Sequence, residues 1–482
     1  MKLVLLLLSL FCFGFTEAQT SVSKSIKEFG AKGDGKTNDH VAFLNAAAYF
    51  NKRGGHGKLI FPKGIYIVGR QGILPDGSKD NHVLEFVNCQ DLKIEGEQAT
   101  IRFVNGLKFG SFDPVTGKAF IPTQAVFTDY NYAMPIGNCI QLVNCKDVSV
   151  KNLEIDGNQK NFILGGKYGD VGFQLAHDGI LIKNSSSVSI KDCYIHHMGR
   201  DGVQLSNATP KEWETADQKI EFKNCRFEYN GRQGFSWVGG SGLKMENCKF
   251  SFTGRGKVQS PPGAGLDIEA EIGIIKNGVF KNCEFVDNTG SGMVADGGSS
   301  KAMTFENCLF WGTTNWTVWT TKPQYHFNNC TFHGSVVHGY NSPDDENATA
   351  YYKCTFEDKD LNGKPSYGAF LAEINYVKRI RFTECRFIAN QKKTLWLVSD
   401  PSFRPEETPL LDKCKLILKN KAFKYPDYWM KYYKVRLRDI ELTVPTEARN
   451  TDNYFIAGSE NIIQGTFTWH YTDKDQKIVT KE

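Results

Sequence analysis

Eight cysteines set the rhythm of this chain. Cys193, Cys225, Cys248, Cys283, Cys308, Cys330, Cys354 and Cys385 each open a Cys-x-Phe or Cys-x-Ile triplet, mostly after Asn, and the gaps between them run from 22 to 35 residues. A phrase that returns once per short module, with insertions of variable length between copies, is the mark of a solenoid. Each module is too short for a helix pair and too rich in β-formers for one. It predicts one turn of a parallel β-helix, an all-β fold.

The first residues read differently. Lys2 is followed by the apolar run LVLLLLSLFCFGF and then Thr16-Glu17-Ala18. A charged start, a short apolar core and a small-x-small site predict a signal peptide over 1–18, and so a secreted or periplasmic protein. Cys12 has no lipobox around it, which disfavours a lipoprotein. No later run is long and apolar enough to span a membrane. The net charge of +5 is mild for 482 residues and does not support nucleic-acid binding, although a local basic groove for an acidic polymer stays open.

Thirteen cysteines in an exported chain invite a disulfide reading. The ladder argues against it, because its cysteines recur at one inward position beside Phe, where a free thiol acts as a small hydrophobe. Cys139 and Cys145 are the more ordinary pair to test for a bridge.

After the leader comes I-K-E-F-G-A-K-G-D-G-K-T-N-D, Ile26 to Asp39. The stretch HVAFLNAAAYFNKRGG then predicts an amphipathic helix, capped by Asn38 or Asp39 and stopped by Gly54-Gly55. KLIFPKGIYIVG predicts two strands around a Pro62-Lys63-Gly64 turn. This opening resembles that of the pectate lyase superfamily and its polygalacturonase relatives. The resemblance implies a right-handed parallel β-helix with a short N-terminal capping helix. It also implies a polysaccharide partner. Physically, a first solenoid turn exposes a strand edge and an open core, and a helix laid across it covers both.

FVNCQDLKIEG (86–96), LVNCKDVSVKN (142–152) and IKNSSSVSIKD (182–192) are one phrase with drift. From Asp178 a second strand register appears once per turn, as DGILIKN, DGVQLSN, QGFSWVG, AGLDIEA and SGMVADG. Aligned on Gly, the residues one and three beyond it are mostly apolar and point inward, so those two and four beyond it point outward. The expected organisation is 1–18 signal peptide, 19–80 N-terminal cap and first turns, 81–400 repeats, and 401–482 C-terminal β-rich turns and cap. The insertion at 104–137 reads as a long loop able to wall a binding groove.

The outward columns are bland until Asp267 and Glu269, about 7 Å apart along one strand face. One turn later Val294 and Asp296 follow, so Glu269 and Asp296 become neighbours. Close carboxylates do not ionise independently, and one is raised to act as an acid. Glycoside hydrolysis needs such a pair. The same residues also fit a solvated acidic patch or a Ca²⁺ site. The irregular segment just before the pair brings Arg255 and Lys257 close by, and both are candidate substrate contacts.

Asp178 and Asp201 form a second candidate pair, at equivalent places on successive turns. Asp178-Gly179 and Asp201-Gly202 match parts of the N-T-D and D-D phrases of polygalacturonases, so the resemblance implies catalytic roles for both. Arg200 replaces the other Asp of the second phrase, and Arg232-Gln233-Gly234 stands where the family has G-H-G. Asp-Gly is also a common turn at strand starts. Arg200 and Arg232 are candidate substrate contacts, as is His197. A His196-His197 pair on a strand sends its rings to opposite faces, so metal ligation there is disfavoured. Trp311, Trp316 and Trp319 cluster in one turn. Trp316 is the candidate for stacking on sugar, although core filling is the commoner fate of such rings.

Three functions remain open. The first is a secreted glycoside hydrolase that cuts a polysaccharide, an acidic one being favoured, with no cofactor. The second is a polysaccharide lyase with Ca²⁺ held by Asp267, Glu269 and Asp296 and with Lys257 or Arg255 as base. The third is a non-catalytic carbohydrate-binding β-helix. The fold by itself does not choose among them.

Overall fold

In the computed structural model the described residues are 21–74, 77–79, 81–121, 130–166, 175–208, 212–391, 393–419, 430–444 and 460–471. The expected signal peptide lies outside them. Each turn of the coil carries three short strands. In one turn these are Ile180–Lys183, Ser186–Lys191 and Tyr194–His196, after which Asp201–Ser206 begins the next. Strands stack in parallel on their equivalents above and below. The first wall runs in register through Ile140, Ile180, Val203, Phe235, Leu266, Met293, Val318, Val336 and Ala372. The fold is a right-handed parallel β-helix with one α-helix among the described residues, as expected.

The repeated phrase now has a physical meaning. Asn224, Asn247, Asn282, Asn307 and Asn329 occupy corners with φ between 52° and 54°, a conformation that Asn tolerates better than most residues. Their side-chain amides bond in series from turn to turn, Asn247 to Asn224 at 3.1 Å and Asn329 to Asn307 at 2.8 Å. The cysteine after each corner turns inward. Cys308 Sγ lies 3.4 Å from the carbonyl oxygens of both Phe280 and Glu306, so the thiol proton is satisfied inside the core. Two residues on, the phenylalanines stack. Phe250, Phe285, Phe310 and Phe332 follow one another at ring spacings of 4.6–5.1 Å. A second stack, Phe280, Phe305, Phe327, Tyr351 and Phe382, comes from the position three before each cysteine.

All twelve described cysteines are buried and free, Cys139 and Cys145 included. Cys89 and Cys145 belong to another corner, where Ser185 succeeds them.

The capping helix α1 spans His40–Lys52 and buries Phe43, Ala46, Ala47 and Phe50 on one face. Asn38 Oδ1 accepts from His40 N, 3.0 Å away, while the Asp39 carboxylate reaches back to the amides of Lys32 and Gly33. At the far end Asn51 pairs with the edge strand Leu84–Val87. Its Nδ2 donates to Glu85 O and its Oδ1 accepts from Val87 N. The helix thus covers the open core and satisfies backbone groups that no preceding turn can reach. Strands continue through Arg436–Val444 and Ile462–Tyr471 at the other end. Within the 104–137 insertion, Lys108–Ser111 and Ala133–Met134 form a small sheet together with Ile163–Leu164 further along the chain. No helix among the described residues is long and apolar enough to cross a membrane.

Candidate functional site

The first wall places its residues in columns that alternate between its inward and outward faces. Asp178, Asp201 and Gln233 share one, and Gln204, Ser236, Asp267, Val294 and Trp319 share another. Both aspartates of the first column are fully buried. Arg200 lies between them, with Nε 3.5 Å from Asp178 Oδ1 and 3.3 Å from Asp201 Oδ2, and Arg232 Nη1 is 3.5 Å from Asp201 Oδ2. Asp201 N donates to Asp178 Oδ1, 3.2 Å away. Burial pushes Asp178 up to about 7, against the pull of Arg200 and with a further push from Asp201. The pair expected to be catalytic is therefore a closed acid–arginine knot beneath the surface.

Beside it opens a cleft of about 310 Å³, lined among others by Arg232, Asp267, Glu269, Asp296 and Trp319. Asp267 is 4 % exposed. Burial pushes its carboxyl up to about 8, helped by the charges of Glu269, Asp201 and Asp296 and opposed by Arg232. Gln233 Nε2 donates to Asp267 Oδ2, and Gln233 Oε1 accepts from Ala264 N at 3.1 Å, which fixes the amide. Arg232 and Gln233 thus join the two candidate pairs into one electrostatic unit, with Asp267, Glu269 and Asp296 at the opening.

A wider hollow of about 740 Å³ on another wall includes Glu154, Tyr194 and Arg226. Glu154 is held down at about 2 by its hydrogen bonds to His196 and Thr100.

Other expected contacts are placed elsewhere. Arg255 Nη2 is 2.7 Å from Asp287 Oδ1 and 2.8 Å from Thr314 Oγ1, which fastens one turn to the next. Lys257 Nζ donates to Phe162 O at 2.7 Å and is spent on an insertion carbonyl. Neither lines the cleft, and this corrects the expectation that they flank the acidic pair. Trp316 packs edge-on against Trp319 with ring centres 4.9 Å apart, and it is Trp319 that lines the cleft. The Gly-anchored alignment misses Trp319 because Thr317 replaces the glycine in that turn. Gln233 was also missed, although it directly follows Arg232.

The two histidines require a correction too. The strand ends at His196, and His197 has φ of 54°. That break cancels the alternation of faces, so the rings meet with their Nδ1 atoms 2.6 Å apart. His197 also stacks on Tyr229, with ring centres 5.0 Å apart, away from the cleft-lining residues.

The comparisons with known proteins agree with this architecture. Among solved structures, the N-terminal fragment of bacteriophage phi29 gene product 12 superposes with a TM-score of 0.53 at 12% identity, over 95% of this chain and 73% of that one. The A-module of the mannuronan C-5 epimerase AlgE4 of Azotobacter vinelandii matches with a TM-score of 0.45 at 12% identity, over 92% of this chain and 99% of that one. No curated protein matches the sequence. The family model for the right-handed beta helix region matches residues 138–332 and 215–408, together more than half of the chain. With the turn-by-turn register seen here, that match shows that the chain belongs to the right-handed β-helix family.

Proposed function

We propose that this protein is an exported glycoside hydrolase that cleaves a polysaccharide in the Asp267 cleft. The observation that carries the reading is a buried carboxyl, pushed up by burial and by its neighbours' charge, beside two further carboxylates in an open cleft. Asp267 is the general acid and protonates the glycosidic oxygen as the bond to the anomeric carbon breaks. Glu269, with Asp296 beside it, is the charged partner that takes a proton from the attacking water. Arg232, a buried lining residue, suits a uronate carboxylate, and Trp319 suits the apolar face of a pyranose. An acidic polysaccharide is thus the favoured substrate. Asp178, Asp201 and Arg200 support the site from beneath and fix the electrostatics of Arg232.

The test is a panel of polysaccharides assayed for new reducing ends, with Asp267→Asn and Glu269→Gln alongside the wild type. Each variant is expected to lose at least ~10²-fold in rate, the usual scale for removing a general acid or base. Full activity in both variants rejects the site. An unsaturated, ultraviolet-absorbing product that a chelator abolishes would instead assign Ca²⁺-dependent lyase chemistry to the same three carboxylates. Binding without product would assign a non-catalytic role.

A further inference from the structure

We propose that Asp156, His196 and His197 form a binding site for one divalent transition-metal ion of the zinc class. It lies where the third wall bends toward Arg200. Asp156 ends the strand Lys146–Asp156 and His196 ends Tyr194–His196, and the two are register partners on adjacent turns. The left-handed residue His197 then folds its ring back toward His196. One ligand atom from each of the three residues falls within 4.8 Å of the others. The two Nδ1 atoms are 2.6 Å apart, and His196 Nδ1 is 3.8 Å from Asp156 Oδ1.

The surroundings fix which atoms face the centre. His196 Nε2 is 3.1 Å from Glu154 Oε1. A carboxylate accepts there, so Nε2 carries the ring proton and Nδ1 presents its lone pair inward. This carboxylate–imidazole arrangement is the usual support for a metal-bound histidine. Glu154 is itself held by Thr100 Oγ1 at 2.7 Å. Asp156 is oriented by Arg102 Nε, 2.8 Å from Oδ2, and by Asn158 N, 2.8 Å from Oδ1. His197 is oriented by its stack on Tyr229, with 8° between the planes. Three electron-rich atoms therefore converge, with at most the His197 Nδ1 proton to share among them.

The donor set selects the ion. Two imidazole nitrogens and one carboxylate oxygen suit Zn²⁺ and its neighbours, whereas Ca²⁺ and Mg²⁺ prefer all-oxygen shells. Tetrahedral bonds of about 2.1 Å place ligand atoms about 3.4 Å apart. That value lies between the two separations seen here and is reached by small rotations of the two rings. His196 and Asp156 are buried and His197 is half-buried, so a fourth position is open on the His197 side for water.

The test uses the full chain, stripped with a chelator and titrated calorimetrically with Zn²⁺ in excess Ca²⁺. One equivalent is expected to bind. His197→Ala and Asp156→Asn should each weaken binding by at least 100-fold, and Glu154→Gln by about tenfold through the lost support of His196. In a second measurement, Co²⁺ bound to the unaltered protein should give the visible bands of nitrogen–oxygen coordination. This readout does not depend on any variant folding. Absence of binding, unchanged binding by His197→Ala, displacement by Ca²⁺, or a thiolate charge-transfer band from the cysteines would each overturn the proposal.

Discussion

Gln233 donates its side-chain amide to Asp267, from the next turn down and from the neighbouring column of the same wall. That bond links a closed knot of buried charge to an open cleft. It connects Asp178, Asp201, Arg200 and Arg232 on one side to Asp267, Glu269 and Asp296 on the other. The alternation of a strand separates these columns, and only the stacking of turns brings them together.

Asp267 should govern both stability and rate as pH changes. Its folded value near 8 lies above the ordinary 3.8, so the folded state holds a proton that the unfolded chain releases between those values. The contribution is fully present below about pH 4 and is lost as pH rises through about 8. Calorimetric melting of wild type and Asp267→Asn should therefore diverge, with the wild type losing a few kcal/mol relative to the variant from pH 4 to pH 8. Parallel melting curves would contradict the raised carboxyl. Cleavage of polysaccharide should fall on the alkaline side of the same value.

Arg200→Met removes the cation between two fully buried aspartates. Breaking a buried pair in this way costs about 3–5 kcal/mol, read as a lower urea midpoint at pH 8. The penalty should shrink at pH 5. Arg200 holds the Asp178 carboxyl down against burial, so without it Asp178 takes up a proton more readily and escapes as a neutral acid. An equal loss at both values would mean that charge is not the cause.

Trp319→Ala should raise KM for polysaccharide by about tenfold while changing kcat little, because the ring lines the cleft without a titratable group. Trp316→Ala should act more weakly, through its edge contact with Trp319. A pure kcat effect of Trp319→Ala would place the ring at the chemistry instead.

The thiol ladder should be silent to reagents in the native state. All twelve described cysteines are buried and unbridged, so Ellman's reagent should react only after denaturation, and a reductant should leave the melting temperature unchanged. A melting temperature lowered by reductant would reveal a disulfide.

Phe285→Ala cuts a stack in its middle, with Phe250 at 4.8 Å on one side and Phe310 at 4.6 Å on the other. A loss of about 3–5 kcal/mol is expected from urea unfolding. Phe285→Leu should recover most of it, since volume is largely kept.

Much of this was legible because a solenoid repeats its environments. A Cys that is buried in one turn is buried in the next, and Phe stacks on Phe at the same corner. The period that identifies the fold also sorts residues into inward and outward. Asp267, Glu269 and Asp296 could thus be placed on one outward face from their offsets to Gly265 and Gly292. Trp319 was lost to that procedure because Thr317 stands in the glycine's place.

The chain order of the residues determined the coil, its capping helix and the acidic column. These rest on local periodicity and on burial that every turn shares. Only the tertiary structure decided which charges work together. Lys257 is claimed by a carbonyl 95 residues away and Arg255 by Asp287, 32 residues on. His197 turns back toward His196 because one corner φ is positive. Asp178 and Asp201 are sealed under arginines, whereas Asp267 opens to the cleft. Such outcomes depend on contacts between turns and on irregular corners. A repeat carries no record of either, since its period fixes position along the strand but not what crosses from one turn to the next.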